Sequence, residues 1–353
     1  MPFSTIDRSS DYFRIKLYTG NGSTQSITFD ESKAMQPDCT WIKVRNDANV
    51  TLVHDVIRGA TKEIYTPLTN AEATDANGLT AFNSNGFSVG SAFGVNRSGY
   101  NFVNWSWKAN GTGVSNTQGT LTATVSANTT SGFSICRITE ASSYSGVQTF
   151  GHGLGVAPSM VIYRQQNIGS NWQVYHKSTG TNLMQLNTTG AVVTSATFWP
   201  TVTSTLFGLS ENVQAPTYTS IAYCFAEVKG YSKAFSYTGN GSADGTYVNL
   251  GFRPAWLLIK RTDSAGYDWL VYDNKRQVEY NVVDDFLKPN LSDAETTGNA
   301  GQSLDFLSNG IKFRGTGASS NASGGTYIGF AIAQNPFVSS KGIVANARWS
   351  GLS

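Results

Sequence analysis

The chain has 353 residues and a net charge of +2, with charged residues at only 14%, well below the roughly 25% of an average soluble protein. That balance argues against a clustered basic nucleic-acid surface, and no apolar run reaches the roughly 18–20 residues needed to span a membrane. Gly, Ser, Thr and Asn take the place of charge and aromatics reach 12%, which reads as an all-β chain with uncharged polar faces and Gly/Asn turns. The amino terminus, Met1-Pro-Phe-Ser-Thr-Ile-Asp-Arg8, has no apolar signal core, so classical secretion is not expected.

The first element, Phe13-Arg-Ile-Lys-Leu-Tyr-Thr19, alternates apolar and polar residues and runs into a Gly-Asn-Gly-Ser turn. Period-two alternation predicts a strand with one buried and one wet face, and the turn supplies positive-φ positions. Next comes Gln36-Pro-Asp-Cys-Thr-Trp-Ile-Lys-Val-Arg45, followed by Thr51-Leu-Val-His-Asp55 and Arg58-Gly59. The same phrase returns as Ala157-Pro-Ser-Met-Val-Ile-Tyr-Arg164 with Trp172-Gln-Val-Tyr-His176, and as Phe252-Arg-Pro-Ala-Trp-Leu-Leu-Ile-Lys-Arg261 with Trp269-Leu-Val-Tyr-Asp273. Their prolines, at 37, 158 and 254, lie 121 and 96 residues apart. That is domain-sized self-similarity, so it sets the fold before any local motif. Proline at the first residue of a strand leaves the ladder intact. Trp256, Leu258 and Lys260 are expected on one face of their strand, Leu257 and Ile259 on the other.

Later elements recur too. Asn70-Ala-Glu-Ala-Thr74 matches Asp293-Ala-Glu-Thr-Thr297, and Phe82-Asn-Ser-Asn-Gly-Phe matches Phe306-Leu-Ser-Asn-Gly-Ile. Each copy closes on an aromatic strand: Tyr100–Trp107, Tyr218–Phe225 and Tyr327–Ala333. The expected fold is therefore three tandem related antiparallel β-sandwich modules of jelly-roll or lectin-like character. They cover 1–110, 132–230 and 231–337, with 111–131 as a linker or extra edge strand and 338–353 as a carboxy-terminal arm.

Chemistry is sparse. Cys39, Cys136 and Cys224 form no metal-like pair and are expected as buried free thiols. His54 and His176 read as one repeat position at which the third copy has Asp273, which points to a solvated turn or hydrogen-bonded edge residue. His152 sits in a glycine-rich turn without a Gly-x-Ser-x-Gly nucleophile pattern. Asp284, Asp285 and Glu295 show no spacing that marks a glycosidase acid pair. No catalytic residue, metal or cofactor is expected. Recurrent aromatics mostly build module cores; Trp172, Tyr175, Trp269, Tyr272 and Asp273 are the candidate ligand-binding residues, since rings stack on sugars and carboxylates bind hydroxyls. Where the copies differ, in the loops around 60–80, 180–200 and 275–300 and in the tail, specificity is expected.

The phrases Asp11-Tyr-Phe-x-x-Lys-Leu-Tyr-Thr-Gly-Asn-Gly-Ser, Gly151-His-Gly-Leu-Gly-x-x-Pro, Ala222-Tyr-Cys-Phe-Ala-Glu, Phe252-Arg-Pro-Ala-Trp, Asp305-Phe-Leu-Ser-Asn-Gly-Ile-Lys and Asn335-Pro-Phe span nearly the whole chain. Together they resemble a virion structural protein family of tailed phages of marine bacteria, of tail-fibre or appendage type. The resemblance implies a virion component, homotrimeric by analogy with phage fibres, that contacts other virion proteins and host surface glycan without catalysis. A capsid decoration or head-fibre protein is the alternative, and a polysaccharide depolymerase the third reading.

Overall fold

In the computed structural model the described residues are 4–139, 146–194, 198–210, 218–277 and 281–336; the arm expected at 338–353 lies outside them. The protein is nearly all β, and its antiparallel sheets do not close into barrels. Each copy of the repeat builds a large inner sheet and a small outer one.

In the first module the inner sheet has six strands, in the order Phe13–Thr19, Asn101–Trp107, Cys39–Val44, Leu52–Asp55, Lys62–Tyr65 and Ala73–Thr74; Gln25–Thr28, Gly86–Val89 and Leu79–Asn83 form the outer sheet. The third module repeats this with Ser232–Thr238, Thr326–Ala333, Pro254–Arg261 and Leu270–Asp273 inside, and Tyr247–Asn249, Gly310–Phe313 and Leu304–Leu307 outside. In the second, Phe133–Thr139, Thr219–Phe225, Met160–Gln165, Gln173–His176 and Met184–Gln185 run in the same order, and Gln148–Gly151 pairs with Leu206–Leu209 outside. Two further strands, Val114–Asn116 and Ala123–Asn128, extend the second module's inner sheet beyond its opening strand. The 111–131 segment thus supplies edge strands to the second module.

The closing strand of every module lies between the opening and entry strands, which explains its aromatic, uncharged character: it is central in its sheet. The opening and closing strands pair without a register shift, from Phe13 opposite Trp107, Phe133 opposite Phe225 and Ser232 opposite Ile332. Pro254 opens its strand as expected, and the ladder shifts register between Pro254 and Trp256, the irregularity that tolerates a residue without an N–H. Gly86 and Gly310, shared by the repeated Asn-Gly motif, sit where a Cβ would meet the Ile27 carbonyl oxygen at 2.0 Å and that of Val248 at 2.1 Å. Only glycine lets those neighbouring strands approach.

The opening strands keep a wet face over only part of their length, since residues 13–15 and 133–136 are buried without a break, and the entry strands have no wet face. Cys39–Val44 and Met160–Gln165 are buried along their whole length. Alternation here divides residues between two cores instead of between core and water. Leu257 and Ile259 enter the third module's own core, between its two sheets, whereas Trp256 and Leu258 enter a different core. That second core is common to all three modules, gathering Phe13, Trp41, Trp105 and Trp107 with Phe133, Ile162, Tyr223 and Phe225 and with Trp256, Leu258, Phe330 and Ile332. Its rings are in mutual contact: Trp107 lies 5.6 Å from Trp256 and 6.2 Å from Phe225, and Phe225 lies 5.3 Å from Phe330. The modules are therefore not beads in tandem. They surround one aromatic core, each presenting the face of its inner sheet that a solitary sandwich would expose to water.

Candidate functional site

Because the modules meet face to centre, polar groups converge at the three seams between them. Strand register fixes the equivalences. Cys39, Met160 and Trp256 pair with Asp55, His176 and Asp273 respectively. This corrects the sequence alignment of the histidines: His176 and Asp273 correspond to Asp55, and His54 lies one residue earlier, opposite Thr40, on the other face of the strand. Nor is the position a solvated turn, for all three residues are at most 1% exposed.

Each of these residues caps its own turn and reaches into the next module. Asp55 accepts from the backbone N–H of Ile57 and Arg58, and from the hydroxyl of Tyr223 in the second module at 2.7 Å. Asp273 accepts from the N–H of Lys275 and Arg276, and from the Trp105 indole in the first module at 2.9 Å. His176 accepts at Nδ1 from the N–H of Ser178, so its Nε2 carries the proton and donates to the Gly329 carbonyl of the third module at 3.1 Å. The closing-strand partners explain the residue choice. Trp105, Tyr223 and Phe330 occupy equivalent positions, opposite Trp41, Ile162 and Leu258. Trp and Tyr offer a donor that suits a carboxylate; Phe offers none, and a histidine that donates to backbone replaces the acid. First module joins second, second joins third and third joins first, so the head-to-tail contacts close a ring.

Two seams carry a buried ion-pair network. Arg58 binds Asp55, the Val53 carbonyl and Glu72, and Arg276 binds Asp273, the Val271 carbonyl and Glu295. Glu295 is also bound by Arg45 at 2.7 Å. Burial alone would raise the Asp273 carboxyl, but the Arg276 charge and the donated hydrogen bonds outweigh it and hold it below the usual carboxylate range. The Ala-Glu motif shared by 70–74 and 293–297 is this seam acid, which leaves Glu295 engaged on both oxygens. Asp285 accepts from the N–H of Gly298. Neither carboxylate is paired with a second acid.

The five candidate ligand-binding residues are corrected by burial. Trp172, Trp269, Tyr272 and Asp273 are at most 1% exposed and Tyr175 is 8% exposed. Tyr175 and Tyr272 belong to module cores. Trp172 and Trp269 lie in the common core, where their indole N–H groups donate across seams to the carbonyls of Tyr65 and Gln185 at 2.7 and 2.9 Å. Their recurrence reflects a repeated seam bond. No ring among them faces solvent to stack on a sugar.

The histidines are internal as well. Desolvation lowers His54 to about 3 and His176 to about 4, and lowers His152 too, keeping the rings neutral. His152 receives the N–H of Leu154 and contacts the Thr203 carbonyl, holding its glycine-rich turn. The three cysteines are free and buried, as expected. Among the described residues no group of His, Cys, Asp and Glu is arranged to hold a metal, and no helix is long and apolar enough to cross a membrane.

Residues the sequence reading passed over include Asn96 and Asn321, fully buried amides that each lock a Gly-Asn-Gly-Ser turn. Their amide nitrogens donate to the Gly90 and Gly315 carbonyls, and their amide oxygens accept the N–H of Asn21 and Asn240. The signal was present as Asn-x-Ser-Gly at 96–99 and 321–324. Two hollows lie at the seams. A groove of about 590 Å³ opens between the second and third modules, lined in part by Thr179, Asn182, Val192, Ser236, Thr262 and Thr326. A smaller hollow of about 240 Å³, bordered by Arg14, Glu31 and Lys275, lies between the third and first.

Comparison with curated proteins gives no match. A family model described as a domain of unknown function, DUF7483, matches residues 8–336 as one unit covering all three modules, and the chain belongs to that family.

Proposed function

We propose that the protein is a structural and binding component of a phage virion, a tail fibre or receptor-binding part that engages host surface saccharide without catalysis. The observation that carries this reading is the ring itself. Three sandwiches locked about one aromatic core make a rigid body whose loops and seams face outward, the arrangement of a scaffold presenting a binding surface. Asp55, His176 and Asp273 hold that ring, and the other histidines and the recurrent aromatics are buried. The virion assignment comes from the resemblance of the sequence motifs, and so does assembly as a homotrimer. Light scattering tests the latter against the 37.9 kDa of one chain.

Purified protein is expected to adhere to susceptible host cells and to compete with infecting phage. Absence of both adhesion and competition would sink receptor binding. The ring also favours a second reading, since a body of three related modules about one centre suits a threefold position on a capsid lattice. Antibody labelling of virions separates the two, at the tail for a fibre and over the head for a decoration protein.

A further inference from the structure

The three seams are built to one plan, but one of them is missing its ion pair. The residue three beyond Asp55, His176 and Asp273 is Arg58 in the first module, Thr179 in the second and Arg276 in the third. The facing acid is placed by a conserved seam bond: the N–H of Glu72 donates to the Gln166 carbonyl at 2.7 Å, that of Glu295 to Arg45 at 2.7 Å, and that of Val192 to Thr262 at 3.0 Å. Val192 therefore stands where the other seams have glutamate, and Thr262 where they have Arg45 and Gln166. Ser236, opposite Ile328, occupies the place of Leu17, opposite Val103. Four long or charged side chains are thus replaced by short, neutral ones at one seam. The 590 Å³ groove is bounded by these very residues.

The groove has the chemistry of its lining. Thr179, Ser236, Thr262 and Thr326 present hydroxyls and Asn182 an amide, beside the apolar Val192 and Ile328, and no lining side chain is charged. The Thr179 and Thr262 hydroxyls already donate to the His176 and Thr326 carbonyls and offer a ligand acceptor oxygens, while the Ser236 hydroxyl and the Asn182 amide belong to groups that both donate and accept, so the lining matches a ligand whose own groups do both and offers nothing to select an ion. A second hollow of about 370 Å³ continues from it, sharing Ser178, Ser236 and Tyr237 and bordered also by Lys177 and Lys233, whose ammonium groups are held by Glu227 and by the Asn249 carbonyl; each lies within the size range of small-molecule sites. We propose that the seam between the second and third modules is a binding groove for neutral saccharide, an assignment that rests on the host-saccharide reading above and gives it a place. Asn182 and Val192 bring into it the loop at 180–200, where the second copy departs from its relatives.

The variant Thr179→Arg/Val192→Glu restores the ion pair and fills the groove. Ser236→Leu narrows it independently by copying the first module. Thermal unfolding establishes that both variants fold. Saturation-transfer NMR with neutral di- and trisaccharides of glucose, galactose, mannose and N-acetylglucosamine is expected to show binding to the native protein, weakened about tenfold or more in both variants, as the loss of one or two hydrogen bonds and their space implies. No binding by any of these sugars, or equal binding by native protein and folded variants, overturns the groove. A synthetic peptide copying residues 121–128, the stretch that pairs with the second module's opening strand, is the competing probe; signal from it alone would make the groove a strand-binding edge and overturn the saccharide assignment. Host adhesion that persists in both variants refutes the groove and leaves the host-binding function standing, whereas native protein that fails to adhere refutes the function.

Discussion

Replacing Asp273 by alanine removes the acceptor of a Trp105 indole, of two backbone N–H groups and of the Arg276 guanidinium, all away from water. Glu295 still faces Arg276, so the charge is not wholly orphaned. Breaking a buried pair from one side costs roughly 3–5 kcal/mol. Because the common core takes side chains from every module, the loss is expected to fall on the whole ring. For a cooperative unit of this length the unfolding entropy is roughly 0.7 kcal/mol/K, which converts the loss to a fall in Tm of about 4–7 °C. Scanning calorimetry should show one transition before and after the change, shifted as a whole. A cycle with Trp105→Phe should return a coupling energy of about 1–2 kcal/mol, since one hydrogen bond across the seam is shared. Separate transitions of which only one moves, or a shift under about 1 °C, would refute the argument that the modules fold on one core.

Two further outcomes follow from the same seams. His54 and His176 are held neutral in the fold, at about 3 and about 4, against about 6.5 in the unfolded chain. With folded values below unfolded ones, the unfolded state binds more protons between these limits, so stability is complete above about pH 6.5 and falls as pH drops toward 4, by several kcal/mol in all; urea midpoints measured across that window check it, and a flat profile contradicts the burial of these rings. His176→Asp should cost about 2–4 kcal/mol in chemical denaturation, because a carboxylate there would oppose the Gly329 carbonyl with no arginine at 179. Adding Thr179→Arg should recover much of that loss, and a neutral single substitution would contradict the equivalence of the three turns.

The repeat, the strand positions and the extra edge strands were legible because period, proline and turn chemistry are local. That Leu257 and Ile259 face away from Trp256 and Leu258 followed from alternation alone. What alternation cannot report is the surface against which the other face packs. Trp256 and Trp107 look the same in sequence whether they end in water, in a sugar site or against each other, and only long-range association decides. Among the recurrent aromatics, read mainly as core, Trp172 and Trp269 stand out as ligand candidates in sequence and are seam donors in the fold. His176 was aligned with His54 because residue identity was matched, whereas register places it with Asp55. The candidate groove was legible only as a disagreement among copies at 180–200. That its meaning lay in an absent Arg–Glu pair required the other two seams for comparison.

Joining the modules in one polypeptide has an evolutionary consequence. In a ring of three identical subunits every substitution appears three times, so one seam cannot lose its ion pair unless all do, at triple the destabilisation. A single gene encoding all three permits asymmetry: two seams keep their Arg–Glu locks while the third is free to drift. Covalent linkage also makes assembly independent of protein concentration. The ring can therefore vary one seam against a background that stays closed.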